Sequence, residues 1–444
     1  MKSKDWDSKL TNADRYGVEA QHPNSHRTEF EEDYDNIIFS SAFRRLQGKT
    51  QVYGLSGSDY VRTRLTHSCE VATNGRSLGT MVENRCVKKL PSHPSNLGTI
   101  VAAACLAHDI GNPPFGHSGE FAIRQWFKNS KAVDGLKKED LNDDQRREIE
   151  NYEGNAQGFR LVTKLQGNRE GLKLTYATLA AMTKYPFGCG PHSKKYGFFR
   201  SEKGDFEKVA KSTGLIRDPE HADTWFRHPL AHLVEASDDL CNRIIDLEDS
   251  ARLGILNSKR VLEHFQLVRK DLLSAGEKRR LDDKTKVELL SRRLLCKLTV
   301  DVAKAFIDHE AEILSGKFSK PLIEVLDEPA KSGLDKIYQT LKADVFTSRQ
   351  VIEIEAPAFR VLNTLLETFV VANEEVCKEG EERASKQSRV IMGLVPKEFK
   401  SHTKSSEPTA CERLFDILDF VSGMTDAYAV SLFKTITGIS LPTA

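Results

Sequence analysis

Residues 97–107, LGTIVAAACLA, form an almost unbroken apolar run, and the next two residues are His108 and Asp109. A bilayer-spanning helix needs about 20 apolar residues, so this run reads instead as a helix buried on all sides of a protein core. The segment that follows, IGNPPFG, cannot continue it. Pro113 and Pro114 break the helix, and Gly111 and Gly116 loosen it. A buried helix therefore delivers an imidazole and a carboxylate to a rigid turn. Burying two ionisable groups is costly unless something pairs with them. The fold must bring partners to this point from elsewhere in the chain.

The rest of the chain is mostly helical in period. Ile37, Ile38, Phe39, Ala42, Phe43 and Leu46 make one stripe, and Leu230, Leu233, Val234, Leu240, Cys241, Ile244 and Ile245 another. Residues 351–371 and 414–432 share that period. Sustained alternation is scarce, with a small ribbon expected at most around Lys195–Phe199. The fold class expected is all-α, with few or no strands. Residues 128–148, 188–204 and 379–406 are polar or rich in Gly, Pro and Ser, and read as loops or insertions. Lys+Arg is 65 against Asp+Glu 64, so no global excess of either charge advertises nucleic acid or an acidic tail. The second half of 379–406 is locally basic, a solvated loop or a surface for single-stranded nucleic acid. Eight cysteines are scattered with no CxxC pair, which argues against a disulfide framework or thiolate zinc site. The N-terminus has no apolar segment of a secretory signal, and no run suits a membrane, so a cytoplasmic location is expected.

Partners for His108 and Asp109 can be found by spacing. His67 lies in RTRLTHSCEVATNGRSLG, which is helical in pattern. Asp238 shares a helix face with Val234, Cys241 and Ile245 and so points inward. Its neighbour Asp239 is expected to face solvent, near Glu235 and Arg243. His67, His108, Asp109 and Asp238 together offer two nitrogens and two oxygens. Such a set suits one six-coordinate divalent ion with two open positions, Mn, Mg, Fe or Ni. His117 follows just past the Pro-Pro turn, with Glu120 three residues on and on the same face of a starting helix. The pair reads as a general acid and its orienting carboxylate. Arg64, one turn before His67, adds a cation on the same side of that helix, where it is expected to face the phosphates of an anionic substrate.

The order H…HD…D is the ligand pattern of the HD phosphohydrolase superfamily. The resemblance goes further. The blocks FSSAFRRLQGKTQV (39–52), RLTHSCEVA (64–72), AHDIGNPPFGHSGE (107–120), EGNAQGFR (153–160), TKYP (183–186), RHPLAHLVEASDDLCNRIIDLED (227–249) and DFVSGMTDAYAV (419–430) resemble the deoxynucleotide triphosphohydrolases, the dGTPase-type enzymes. They cover nearly the whole chain in order. The resemblance implies an HD-domain helical core with additional C-terminal helices, and metal-dependent hydrolysis of a deoxynucleoside triphosphate to deoxynucleoside and inorganic triphosphate. It assigns His117 and Glu120 the roles read above. It places Lys184 and Lys195 on phosphates, and Gln51 and Asn112 near sugar and phosphate. It places Asp246 on the sugar 3′-hydroxyl. Between Asp238 and Asp246 the family usually has a tyrosine packed on the deoxyribose, where this chain has Asn242. That departure implies a looser or differently shaped sugar pocket.

The corresponding organisation is an N-terminal segment (1–26), a catalytic core (27–250) with insertions at 128–148 and 188–204, and a helical region (251–444) completing the pocket and oligomer contacts. The resemblance implies a homo-oligomer and allows for a nucleotide effector. Two alternatives stand beside it. One is another HD phosphohydrolase acting on a nucleoside monophosphate or cyclic nucleotide. The other is a catalytically idle nucleotide-sensing or nucleic-acid-binding oligomer.

Overall fold

The computed structural model describes residues 9–18, 27–53, 61–86, 96–134, 140–167, 169–190, 195–400 and 408–440. Among these residues there are helices and isolated bridge pairs but no strand, so the chain is all-α. The expected ribbon at Lys195–Phe199 does not form, although the Gly197 N–H donates to the Phe187 carbonyl at 3.0 Å.

Three helices build the region around His108 and Asp109. Leu97–Ala107 is buried from end to end except at Thr99. Asn96 caps it without a side-chain bond. Glu83 of the neighbouring helix supplies acceptors instead, to the N–H groups of Asn96 (2.9 Å) and Leu97 (3.3 Å). That neighbour, Arg64–Cys86, crosses it closely because both present glycine at the contact. A Cβ on Gly79 would lie 2.7 Å from the Leu97 carbonyl oxygen, and one on Gly75 would lie 2.6 Å from Cys105 Sγ. The third helix, Pro229–Arg252, starts with proline at its first position behind an N-capping His228. Ser237 Oγ donates to the Val71 carbonyl at 2.8 Å and ties it to the Arg64–Cys86 helix.

The stripe at 37–46 is interrupted. The helix Glu29–Phe39 ends where Ser40 turns extended, and the Ser40 hydroxyl caps a second short helix, Ser41–Arg45. The break rotates Phe39 outward to 75% exposure, while Ile37, Ala42, Phe43 and Leu46 stay buried. The polar stretches also hold more helix than their composition suggests: Asp143–Glu150 is helical behind an Asn142–Gln145 capping box, and so is Lys386–Gly393. Residues 414–432 form two helices, Ala410–Ser422 and Asp426–Ile436, parted at Gly423–Thr425.

Buried apolar side chains form two clusters. One runs from Phe30 to Val351. The other joins Phe115–Phe199 to Ala358–Leu432, so the helix Gly116–Asn129 packs against the 31-residue helix Arg349–Glu379. The second core thus fixes the helix that carries His117 and Glu120.

Candidate active site and metal centre

The close helix crossing brings His67 and His108 face to edge, with ring centroids 5.5 Å apart. One ligand atom each from His67, His108 and Asp109 lies within 4.8 Å of the others, a spacing that could hold a metal ion. Asp238 arrives from the third helix, its Oδ1 3.1 Å from His67 Nε2 and 3.5 Å from His108 Nε2. Its inward placement agrees with the helical offsets. The donor set fits a divalent cation on two counts. The His108 Nδ1–H donates to the Cys105 carbonyl at 2.6 Å, which turns Nε2 toward the cluster, and Nε2 is buried with no hydrogen-bond partner. The carboxylates also draw positive charge to this point. Burial disfavours ionisation of Asp109, yet Arg64 and the two imidazoles hold its carboxyl down at about 2. Burial likewise opposes charge on His108, but Asp109 and Asp238 raise it to about 9.

The turn after Asp109 is held by its own atoms and by close packing. Asn112 Nδ2 donates to Asp109 Oδ1 at 2.5 Å. A Cβ on Gly111 would lie 2.1 Å from the Gly158 backbone nitrogen, so the turn seats on the helix Gly154–Arg160. Arg64 was expected to face phosphate. Its Nη1 instead donates to Asp109 Oδ2 at 2.5 Å, and the residue is only 3% exposed. It therefore orients a candidate ligand and balances its charge.

A cavity of about 220 Å³ opens beside the cluster. His108, Asp109, Asn112, His117, Lys184 and Lys195 are among the residues lining it. His117 is exposed within it; crowding by the cleft walls, then Arg64 and Lys195, lower its pKa. Glu120 is buried and accepts the Gly154 N–H at 2.7 Å; no hydrogen bond joins it to His117 here. Lys195 lies 3.0 Å from Glu153 and 4.0 Å from Glu120, and Lys184 lies 3.4 Å from Glu235. Burial, then Glu120, pushes the Glu153 carboxyl up. Asp239 departs from the solvent-facing position expected. It is half-buried, and burial raises its carboxyl to about 7 while Lys184 opposes the rise.

The remaining candidates sit on the far side of Asp238. Asn242 Nδ2 donates to Asp238 Oδ1 at 2.7 Å and its Oδ1 accepts from Gln51 Nε2 at 3.2 Å. Gln51 Oε1 is buried without a partner. Asp246 is buried one turn further along. Burial, then the nearby Asp249, pushes its carboxyl far up, and Arg243 is paired elsewhere, with Asp335. Sequence reasoning did not single out Lys49, Glu153, Glu235 or Asp426, all close to these residues. All four lie in the blocks quoted above, at 39–52, 153–160, 227–249 and 419–430, which was the available signal.

The HD domain family model matches residues 64–158, which hold His67, His108 and Asp109. A deoxyguanosinetriphosphate triphosphohydrolase-like protein of Synechocystis sp. is 37% identical over 431 residues, covering 94% of this chain and 95% of the relative. One from Pseudomonas aeruginosa is also 37% identical, over 457 residues, covering 99% of this chain and all of the relative. A deoxyguanosinetriphosphate triphosphohydrolase of Salmonella schwarzengrund is 30% identical over 478 residues, covering 92% and 94%. Similarity of that extent over nearly the whole of each chain, with the HD domain match spanning His67, His108 and Asp109, means that the chain belongs to the dGTPase-type deoxynucleotide triphosphohydrolase family of HD-domain proteins.

Proposed function

We propose that the protein hydrolyses deoxynucleoside triphosphates to deoxynucleoside and inorganic triphosphate. The observation that carries this reading is that one cavity is lined by both the ligand cluster and His117, with Lys184 and Lys195 on its wall. A divalent ion held by His67, His108, Asp109 and Asp238 would supply Lewis acidity toward the α-phosphate and lower the pKa of a water. His117 gives its proton to O5′ as the bond from that oxygen to the α-phosphorus breaks, while the water oxygen bonds to the same phosphorus. A triphosphate carries roughly four negative charges, and beside His117 these oppose the effect of Arg64 and Lys195 and favour the protonated imidazole. Lys184 and Lys195 exchange their carboxylate partners for phosphate oxygens. Glu120, anchored on the Gly154 N–H, supports the His117 side of the cavity. On the sugar side, Gln51 Oε1 is a buried acceptor without a donor, a need that a sugar hydroxyl meets. Asp246 and Asn112 complete the contacts to sugar and phosphate, and Asn242 takes the place of a ring against C2′.

Reaction in ¹⁸O-labelled water tests this. The label is expected in the triphosphate, released in one step. Label in the nucleoside, or stepwise appearance of the diphosphate, overturns the reading.

A further inference from the structure

The helix Asp426–Ile436 opens with a carboxylate that does not face solvent: Asp426 is 1% exposed. Its Oδ1 accepts the Phe115 N–H at 2.9 Å. Its Oδ2 accepts the Thr50 N–H at 2.9 Å and the Thr50 hydroxyl as well. These donors are uncharged, and they belong to two segments that the chain holds 65 residues apart. Both segments carry site residues. Thr50 immediately precedes Gln51 and pairs in an isolated bridge with Thr63, next to Arg64. Phe115 stands in the left-handed conformation, φ 63°, at the start of the helix that presents His117 and Glu120, and no side chain of its own caps that helix.

Lys49 laces the same three pieces together. It is 3% exposed and its Nζ donates to the Asn112 carbonyl at 2.5 Å and to the Ser422 carbonyl at 3.0 Å. The fit leaves no slack, because a Cβ on Gly48 would lie 2.8 Å from the Thr425 side chain. A carboxylate is suited to this place, since it accepts at both oxygens and donates at neither. An asparagine would present an amide to one of two N–H groups. The bond to Phe115 acts on the entry of a helix two residues before His117, so its loss moves the imidazole rather than the helix ends of the C-terminal region.

We propose that Asp426 is a positioning residue for the reaction: it sets the helix carrying His117 against the segment carrying Gln51, and so holds the proton donor in register with the bound sugar. This rests on the reading of His117 as the proton donor.

The test uses the full-length chain with Mn and whichever of the four deoxynucleoside triphosphates turns over fastest, in wild type, Asp426→Asn, His117→Ala and the double variant. Asp426→Asn is expected to lower kcat about 10–100-fold, the effect of misplacing a reacting group by about 1 Å, with metal content and circular dichroism unchanged. In the His117→Ala background the same change is expected to cost less than about 3-fold, because there is no imidazole left to misplace. Equal losses in both backgrounds overturn the positioning role while leaving the proton donor in place. An unchanged kcat in His117→Ala overturns the proton-donor reading, and the role of Asp426 with it. If Asp426→Asn does not fold, Thr50→Val carries the test, since it removes one hydroxyl and keeps the bond to Phe115. It should lower kcat about 2–10-fold, the worth of one hydrogen bond, and by less than about twofold in the His117→Ala background. No loss of kcat, or equal losses in both backgrounds, overturns the proposal.

Discussion

Two buried imidazoles at the start of the helix that delivers Asp238 are expected to make the protein acid-sensitive. His228 is fully buried, its Nδ1 accepts the Leu230 N–H at 3.2 Å, and its Nε2–H donates to the Leu10 carbonyl at 2.9 Å. A second proton would abolish the cap. His232 packs its ring 5.5 Å from that of Phe318, and its buried Nδ1 has no partner to receive a proton. Burial lowers His228 to about 4 and His232 to about 3. Both folded values lie below the unfolded value of about 6.5, so the unfolded chain binds more protons as pH falls below 6.5, and stability falls with it. At pH 5 the unfolded histidine is 1.5 pH units below its pKa, which is about 2 kcal/mol per residue and about 4 kcal/mol for the pair. The assay is urea unfolding at pH 7 and pH 5, followed by circular dichroism, in wild type, His228→Asn and His232→Phe. Asparagine keeps a capping oxygen and phenylalanine keeps the ring. Each variant is expected to lose about 2 kcal/mol less than wild type between the two pH values. A pH dependence as steep in both variants as in wild type refutes the reasoning.

Three further outcomes are expected. Asp238→Ala should abolish both bound metal and activity, whereas Asp239→Ala should retain metal by elemental analysis; the reverse would contradict the assignment of the inward face. Asn242→Tyr should sharpen discrimination against ribonucleotides by about 10–200-fold in kcat/KM, the usual worth of filling a pocket with one group; equal selectivity in both proteins would remove position 242 as the sugar gate. Gly111→Ala should destabilise the fold by about 1–3 kcal/mol in urea unfolding, because its Cβ would meet backbone atoms of Gly154 and Gly158 that cannot move aside as a side chain can; unchanged stability would show that the turn is not seated as described.

What the sequence determined by itself was local and periodic. A continuous apolar run needs burial on all sides, so Leu97–Ala107 had to be a core helix, and proline had to end the helix beyond His108. Offsets of three, four and seven residues put Asp238 on the apolar face of its helix. These follow from helix geometry alone, and together with the ordered blocks they made the candidate ligand cluster and the all-α class legible. The same logic failed at Phe39, where a capping serine broke the period, and at Asp239, where a second helix flank was covered as well. Only the tertiary structure decided which groups meet. Arg64 lies on the expected side of its helix, yet packing gives its guanidinium to Asp109. Asn242 and Gln51 are 191 residues apart and share a hydrogen bond. Asp426 and Phe115 are 311 apart and do the same. Periodicity states that a face is buried but not against what. That choice rests on how closely two backbones can approach, at Gly75, Gly79 and Gly111, and on which buried donors still need an acceptor once the helices have packed.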